Sequence, residues 1–126
     1  MKKTVVILFF ILSIASHAQL SVARKWNEVL LEAIRNDLAR PTIHARNLFH
    51  LSAATYDAWI IITQRGKPYL IGNELNDFNT GPINFLSASG NVTADANKAI
   101  SYAAYRLLNH RFARSPGWME TSELSD

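Results

Sequence analysis

The 126-residue sequence contains no cysteine, so no disulfide bond can stabilise the folded chain. It has no glycine-rich phosphate-binding loop and no pair of histidines at the spacing of a zinc site. Lysine and arginine are not clustered with aromatic side chains between them, and two of the 13 basic residues lie at positions 2 and 3. We therefore expect a fold that depends on its hydrophobic core or on a partner, and no binding of nucleic acid.

The N-terminus has the three parts of an export signal. A Lys-Lys pair follows the first methionine, an apolar run of about ten residues extends from Val5 to Ile14, and Ser16 and Ala18 occupy the positions that signal peptidase reads. The run is shorter than the ~20 residues that cross a membrane. We therefore predict a signal peptide over residues 1–18, an exported protein (periplasmic or extracellular) and no stable membrane span after cleavage. A leader that stays uncleaved as an inner-membrane anchor is the alternative.

Three stretches show the apolar periodicity of α-helices, and together they predict an all-α fold. The first, over residues 22–39, has one apolar and one charged side, as a surface helix does. The second, over residues 41–62, is apolar on nearly every side. The third, over residues 94–113, carries small residues on its apolar side and begins after Thr93, its predicted N-cap. The sequence thus predicts a helical bundle fragment of three main helices.

The remaining residues are rich in turn-forming side chains. Residues 63–92 hold four of the five glycines, which predicts a long irregular loop that allows a short extended piece over residues 68–71. Ser-Pro-Gly at residues 115–117 breaks the third helix, and residues 118–126 show no helical period, so we expect a loose polar tail over residues 115–126. The predicted organisation is therefore a signal peptide, a helical part over residues 19–114 and this tail.

The second predicted helix, the central helix, poses a problem of cover. A helix that is apolar on several sides has to be surrounded by other apolar surface. Two amphipathic helices and a polar loop offer too little of it. We therefore expect the missing cover to come from a further, C-terminal part of the bundle or from a protein partner.

The few polar side chains of the central helix are the candidates for chemistry. Arg46, His50 and Asp57 form a stripe, but the last two lie seven positions apart, about 10 Å along the axis, too far to share one metal ion. We expect neighbouring helices to satisfy this stripe. We also expect His44 to be a hydrogen-bonded core histidine. Asp37, on the apolar side of the first helix, is expected to tie that helix to the start of the next.

One part of the sequence is similar to a known family. The similarity is concentrated in residues 26–59 and continues in the third predicted helix. The segments that carry it are Trp26–Asn27, Ala33–Arg35, Arg40–Thr42, His44–His50, Tyr56–Trp59 and Ala99–Arg106. They resemble the N-terminal helical region of exported bacterial proteins related to the vanadium-dependent haloperoxidases, within the wider phosphatidic acid phosphatase superfamily. The resemblance covers most of residues 22–114.

The resemblance implies an enzyme that holds vanadate or phosphate between its helices, with lysine, arginine, serine and histidine motifs around the anion. This sequence lacks those motifs. Ala33 stands where the lysine before Arg40-Pro41 is required, and Ser115–Trp118 contains no histidine. We therefore predict no catalytic, cofactor-binding or metal-binding residue in this chain.

Two functions remain as expectations. The resemblance implies the N-terminal scaffold part of a haloperoxidase-like or acid phosphatase-like enzyme, inactive alone, whose complete form uses vanadate as cofactor or phosphate as substrate. The alternative is a stand-alone exported helical module that binds a protein partner through its apolar central helix.

Overall fold

Most of the part of the chain that the structure describes is helical. A computed structural model describes residues 21–38, 40–116 and 118. Three helices make up most of this part: α1 (Val22–Arg35), α2 (Pro41–Thr63) and α3 (Val92–Phe112). They pack against one another, and the fold is largely all-α, as the sequence predicts. The predicted signal peptide lies outside the described residues.

The loop between α2 and α3 contains one small hairpin. Strands β1 (Glu74–Leu75) and β2 (Phe78–Asn79) pair antiparallel, with Leu75 opposite Phe78. The predicted extended piece over residues 68–71 is not a strand. Gly72, at φ 78°, lies so close to Ile83 that a Cβ on the glycine would be 2.2 Å from Cγ1 of Ile83. The two arms of the loop therefore touch where only glycine fits.

α1 ends four residues earlier than its periodicity predicts because the chain turns at Asp37. Both carboxylate oxygens of Asp37 accept from the Arg40 guanidinium, at 3.1 and 3.0 Å. Arg40 directly precedes α2, and Pro41 occupies the first helical position, where no backbone N–H is needed. The prediction that Asp37 ties the first helix to the second is thus confirmed, while the predicted end at residue 39 is wrong.

α3 begins two residues earlier than predicted. Its N-cap is Asn91 and not Thr93, since the Asn91 side chain accepts from the backbone N–H of Ala94 at 3.0 Å. An asparagine cap satisfies one of the first-turn N–H groups that have no partner within the helix.

The hydrophobic core lies between α1 and α3, with one side of α2 against it. Trp118 belongs to this core, because its ring stacks on Phe112 with centroids 5.7 Å apart and its Nε1 donates to Oδ1 of Asn109 at 3.3 Å. The prediction of a loose tail therefore does not hold at Trp118; residues 119–126 lie outside the described part. The buried members of the core are Trp26, Val29, Leu30, Ala33, Leu51, Ile100, Ala104, Leu108, Phe112 and Trp118.

α2 is covered on two sides, and the loop provides the second cover. The backbone N–H of Leu86 donates to the carbonyl of Ile61 at 3.3 Å, and Gly66 lies against the side chain of Ile60, which is fully buried. The loop thus does part of the covering that the sequence assigns to a missing segment. None of the described helices is both long and apolar enough to cross a membrane.

Candidate functional site

The stripe of Arg46, His50 and Asp57 does not form one site. Arg46 is exposed, His50 is half-buried and Asp57 is 2 % exposed. The two titratable side chains have partners on different elements, the loop for Asp57 and α3 for His50. Across the described ranges, no group of three histidine or acidic side chains is placed to hold a metal ion.

Asp57 anchors the loop to α2 through its carboxylate. The oxygen Oδ1 accepts from the backbone N–H of Tyr69 at 2.5 Å, and Oδ2 accepts from those of Leu70 and Ile71 at 2.8 and 3.0 Å. Three backbone donors around one buried carboxylate compensate its desolvation. The predicted satisfaction by neighbouring helices is wrong for Asp57, since the partners lie in the loop.

His50 pairs with α3 instead. Nη2 of Arg111 lies 2.6 Å from Nδ1 of His50, which places an arginine donor on an unprotonated ring nitrogen. Burial and the positive charges of Arg111 and Arg46 hold the pKa of His50 below its usual value. For His50 the predicted partner on a neighbouring helix is therefore found.

The junction between α1 and α2 contains two buried polar side chains, each with one atom that has no hydrogen-bond partner among the described residues. Nε2 of His44 lies 3.0 Å from the carbonyl of Leu38, which confirms His44 as a hydrogen-bonded core histidine. Within the described part of the chain, Nδ1 of His44 and Oδ1 of Asn47 are buried and have no hydrogen-bond partner. Such atoms cost free energy in the isolated chain.

Asp37 in the same junction is held as a carboxylate. Burial raises its pKa, but hydrogen bonds from the backbone of Leu38 and from the side chain of Ser115 act in the opposite direction. The hydrogen bond and the charge of Arg40 add to them, so the pKa of Asp37 is lowered. The Arg40 guanidinium is thereby already neutralised.

An exposed apolar strip runs along α2. Leu48, Phe49 and Tyr56 are 39, 50 and 44 % exposed and, with Ser52 between them, lie on one side of the helix. We call these four residues the α2 strip. It continues into a groove of about 410 Å³ between α1, α2 and α3, lined among others by Val22, Ala23, Tyr56, Trp59, Asn97 and Ile100.

A larger depression follows α3. Its volume is about 860 Å³, and its lining is mostly apolar. Ala58 and Ile62 of α2 and Leu86 of the loop line one part, while Ala99 and Tyr102 of α3 line another. Both depressions are open to the surface, and the described residues that line them contain no converging set of catalytic groups.

No protein-family model, no curated protein and no solved structure matches this chain.

Sequence reasoning missed several of these relationships. Arg111 and His50 are 61 positions apart, and Asp57 and its three donors are 12 to 14 apart, so no helical spacing links them. Trp118 carried a weak signal, as a large aromatic side chain next to a Pro-Gly turn.

Proposed function

We propose that this chain is the helical scaffold of an exported enzyme related to the vanadium-dependent haloperoxidases and acid phosphatases, and that it is inactive by itself. The observation that supports the proposal is the α2 strip. Leu48, Phe49 and Tyr56 remain about half exposed on a helix that α1, α3 and the loop cover only in part. Further helices of a larger bundle, packed along this strip, would complete the burial of α2.

The catalytic chemistry is assigned outside these residues. Vanadate and phosphate need several cationic and N–H donors that converge on one anion. The Arg-Pro pair of this sequence does not fit that role, because the Arg40 guanidinium already binds the carboxylate of Asp37. The chain therefore contributes shape and packing surface, and no step of the reaction is assigned to its side chains.

The position of the chain in an exported enzyme is supported by two features of the sequence. Residues 1–18 have the pattern of a signal peptide, and most of residues 22–114 resemble the region that precedes the active site in the family. The first test is to sequence the encoding DNA beyond codon 126 and to translate it in all three frames. We expect a lysine with Arg-Pro, a Pro-Ser-Gly-His and a Ser-Arg followed by histidine. Absence of this set in every frame would contradict the proposal.

A second test measures activity. The purified chain, supplied with vanadate, is assayed for halide oxidation with peroxide and, without vanadate, for hydrolysis of a phosphomonoester. We expect no turnover above a heat-inactivated control. Turnover above that control would mean that the chain holds its own active site, and the scaffold proposal would be wrong.

The second candidate is a stand-alone exported module that binds a protein partner through the α2 strip. It is favoured by the core itself, because Leu30, Leu51 and Leu108 are almost completely buried between the three helices without further sequence. A thermal melt combined with analytical ultracentrifugation separates the two candidates. A well-defined monomer or dimer throughout the melt favours the module, whereas concentration-dependent aggregation through the uncovered α2 strip favours the scaffold.

A further inference from the structure

The outer side of α3 carries a regular pattern that the proposed function does not use. Asp95, Ala99, Tyr102 and Arg106 follow one another at spacings of four, three and four residues, so they form one line along the helix. We call these four residues the α3 stripe. It lies opposite Ala104, which is fully buried in the core, and Tyr102 at its centre is 66 % exposed.

The α3 stripe combines a protruding side chain, Tyr102, with a recess at the small side chain of Ala99. Tyr102 projects from the surface, and Ala99, one turn earlier, is small and leaves room beside it; both residues line the 860 Å³ depression. A protrusion and a recess on the same helix are self-complementary, because a second copy turned by a twofold rotation offers a recess to each protrusion. The spacing of the stripe is also that of an antiparallel helix pair, in which side chains fit between those of the facing helix.

The charges at the two ends of the stripe select the direction. Asp95 is in the first turn of α3 and Arg106 is eleven residues later. In a parallel pair, like charges would face each other at both ends, which is unfavourable. In an antiparallel pair whose twofold axis lies midway between Ala99 and Tyr102, each Asp95 faces an Arg106, and each Tyr102 faces an Ala99.

We propose that two copies of this chain associate through their α3 stripes, as an antiparallel pair with Tyr102 of each copy over Ala99 of the other and Asp95 opposite Arg106. The proposal is independent of the α2 strip, which lies on another helix. It names a second copy as the partner, because the charges at the ends of the stripe and the Tyr102–Ala99 pair at its centre match one another under a twofold rotation.

Both charged residues are available for this contact. Asp95 accepts from the backbone N–H of Ser89 at 2.6 Å and from its hydroxyl, and a carboxylate has further lone pairs to offer. The guanidinium of Arg106 lies 6.0 Å from the ring centroid of Tyr102, on the stripe itself. Neither of the two ion pairs formed by the described residues involves Arg106.

The contact is short, so the association is expected to be weak. From Asp95 to Arg106 the helix extends about 16 Å, or three turns. A pair of that length buries less than the ~1,600 Å² of a standard interface. The monomer–dimer equilibrium should therefore be visible at accessible protein concentrations, in the micromolar range or above.

The decisive experiment uses the absence of cysteine. Two single variants, Ala99→Cys and Tyr102→Cys, are purified separately, mixed and oxidised. In the proposed pair, one copy of each brings the two sulfurs into one facing position and leaves the other Tyr102–Ala99 contact intact. We expect a disulfide-linked dimer in the mixture, at several times the yield of either variant alone. Lys25→Cys, on the exposed side of α1, is the matched control in the same mixtures.

A second experiment tests the charges by sedimentation equilibrium. Arg106→Asp should raise the dissociation constant about tenfold or more, and adding Asp95→Arg to it should restore most of the affinity. Lys25→Asp, with the same change of charge, should leave it unaltered. Circular dichroism checks that each variant keeps its helix content. A chain that stays monomeric at all concentrations, or equal cross-linking yields in the mixture, the single variants and the control, would overturn the proposal.

Discussion

Nη2 of Arg111 and Nδ1 of His50 lie 2.6 Å apart and join the last turn of α3 to the middle of α2. The contact requires a neutral imidazole, because Nδ1 has to accept the arginine proton. A protonated His50 would place two cations against each other, with Arg46 one turn away on the same helix. The packing of α2 on α3 is thus coupled to the protonation of one histidine.

This coupling predicts a pH dependence of stability. The pKa of His50 is lower in the folded than in the unfolded chain, so the unfolded chain binds the proton more readily. The stability that the neutral His50 contact contributes is fully present above the ordinary histidine pKa of 6.5 and is lost as the pH falls toward the lowered pKa of His50. We expect the free energy of unfolding to decrease between about pH 7 and pH 5, measured by urea denaturation. His50→Gln should flatten that slope, while His110→Gln, at an exposed position of α3, should keep it.

Removing the charge of Asp57 should loosen the loop. Asp57→Asn keeps the shape of the side chain but leaves one oxygen to accept from three backbone donors. We expect a loss of about 2–3 kcal/mol in the free energy of unfolding, because buried hydrogen bonds to a charged group are lost. Hydrogen exchange should also become faster at the amides of Tyr69, Leu70 and Ile71. Asp77→Asn, at an exposed turn of the hairpin, is the control; equal effects of both variants would contradict the role of Asp57.

The unsatisfied amide of Asn47 predicts a stabilising substitution. Its Oδ1 is buried without a partner among the described residues, so Asn47→Leu should raise the free energy of unfolding of the isolated chain by about 1 kcal/mol. Asn73→Leu makes the same chemical change where Nδ2 donates to the carbonyls of Pro68 and Tyr69. This variant should lower it by about 1 kcal/mol. Urea denaturation compares the two, and changes of the same sign would refute the assignment.

The position of the core predicts a contrast between two phenylalanines. Phe112 is 1 % exposed and stacks on Trp118, whereas Phe78 in the hairpin is 66 % exposed. Phe112→Ala should lower the free energy of unfolding by about 3–5 kcal/mol. It should also shift the tryptophan emission of the folded chain to longer wavelength, because the Trp118 ring becomes exposed to water. Phe78→Ala should change the free energy of unfolding by less than about 0.5 kcal/mol. If Phe112→Ala changed the free energy of unfolding as little as Phe78→Ala does, the placement of Phe112 and Trp118 in the core would be wrong.

The sequence predicted the helices better than the contacts between them. The sequence predicts the span of α2 to within one residue, because its apolar positions continue over many turns and Pro41 marks its start. The predicted end of α1 is wrong because the apolar periodicity continues past Asp37, whereas the chain turns there and Asp37 accepts a hydrogen bond from Arg40. Local spacing predicts the i,i+3 pair of Glu32 and Arg35, which the structure places at 2.8 Å.

Periodicity does not predict the contacts that form when the loop and the C-terminal turn fold back onto the helices. Asp57 was recognised as a carboxylate that needs donors, yet periodicity offers only helices as partners and says nothing of a loop that folds back. The same limit applies to Trp118, whose burial depends on the turn after α3. The prediction that other parts of this chain cannot cover α2 is accordingly too strong. The loop covers one side of the helix and leaves the α2 strip exposed.

The anchoring of the loop by Asp57 has a consequence for the connectivity of the chain. Residues 64–91 are one long connection in sequence, but the hydrogen bonds at residues 69–71 and at Leu86 divide it into shorter segments. The entropy of closing each segment is then set separately. A protease cut within the hairpin should therefore leave a nicked protein whose two pieces stay together, and the same place should accept an inserted peptide or new chain termini.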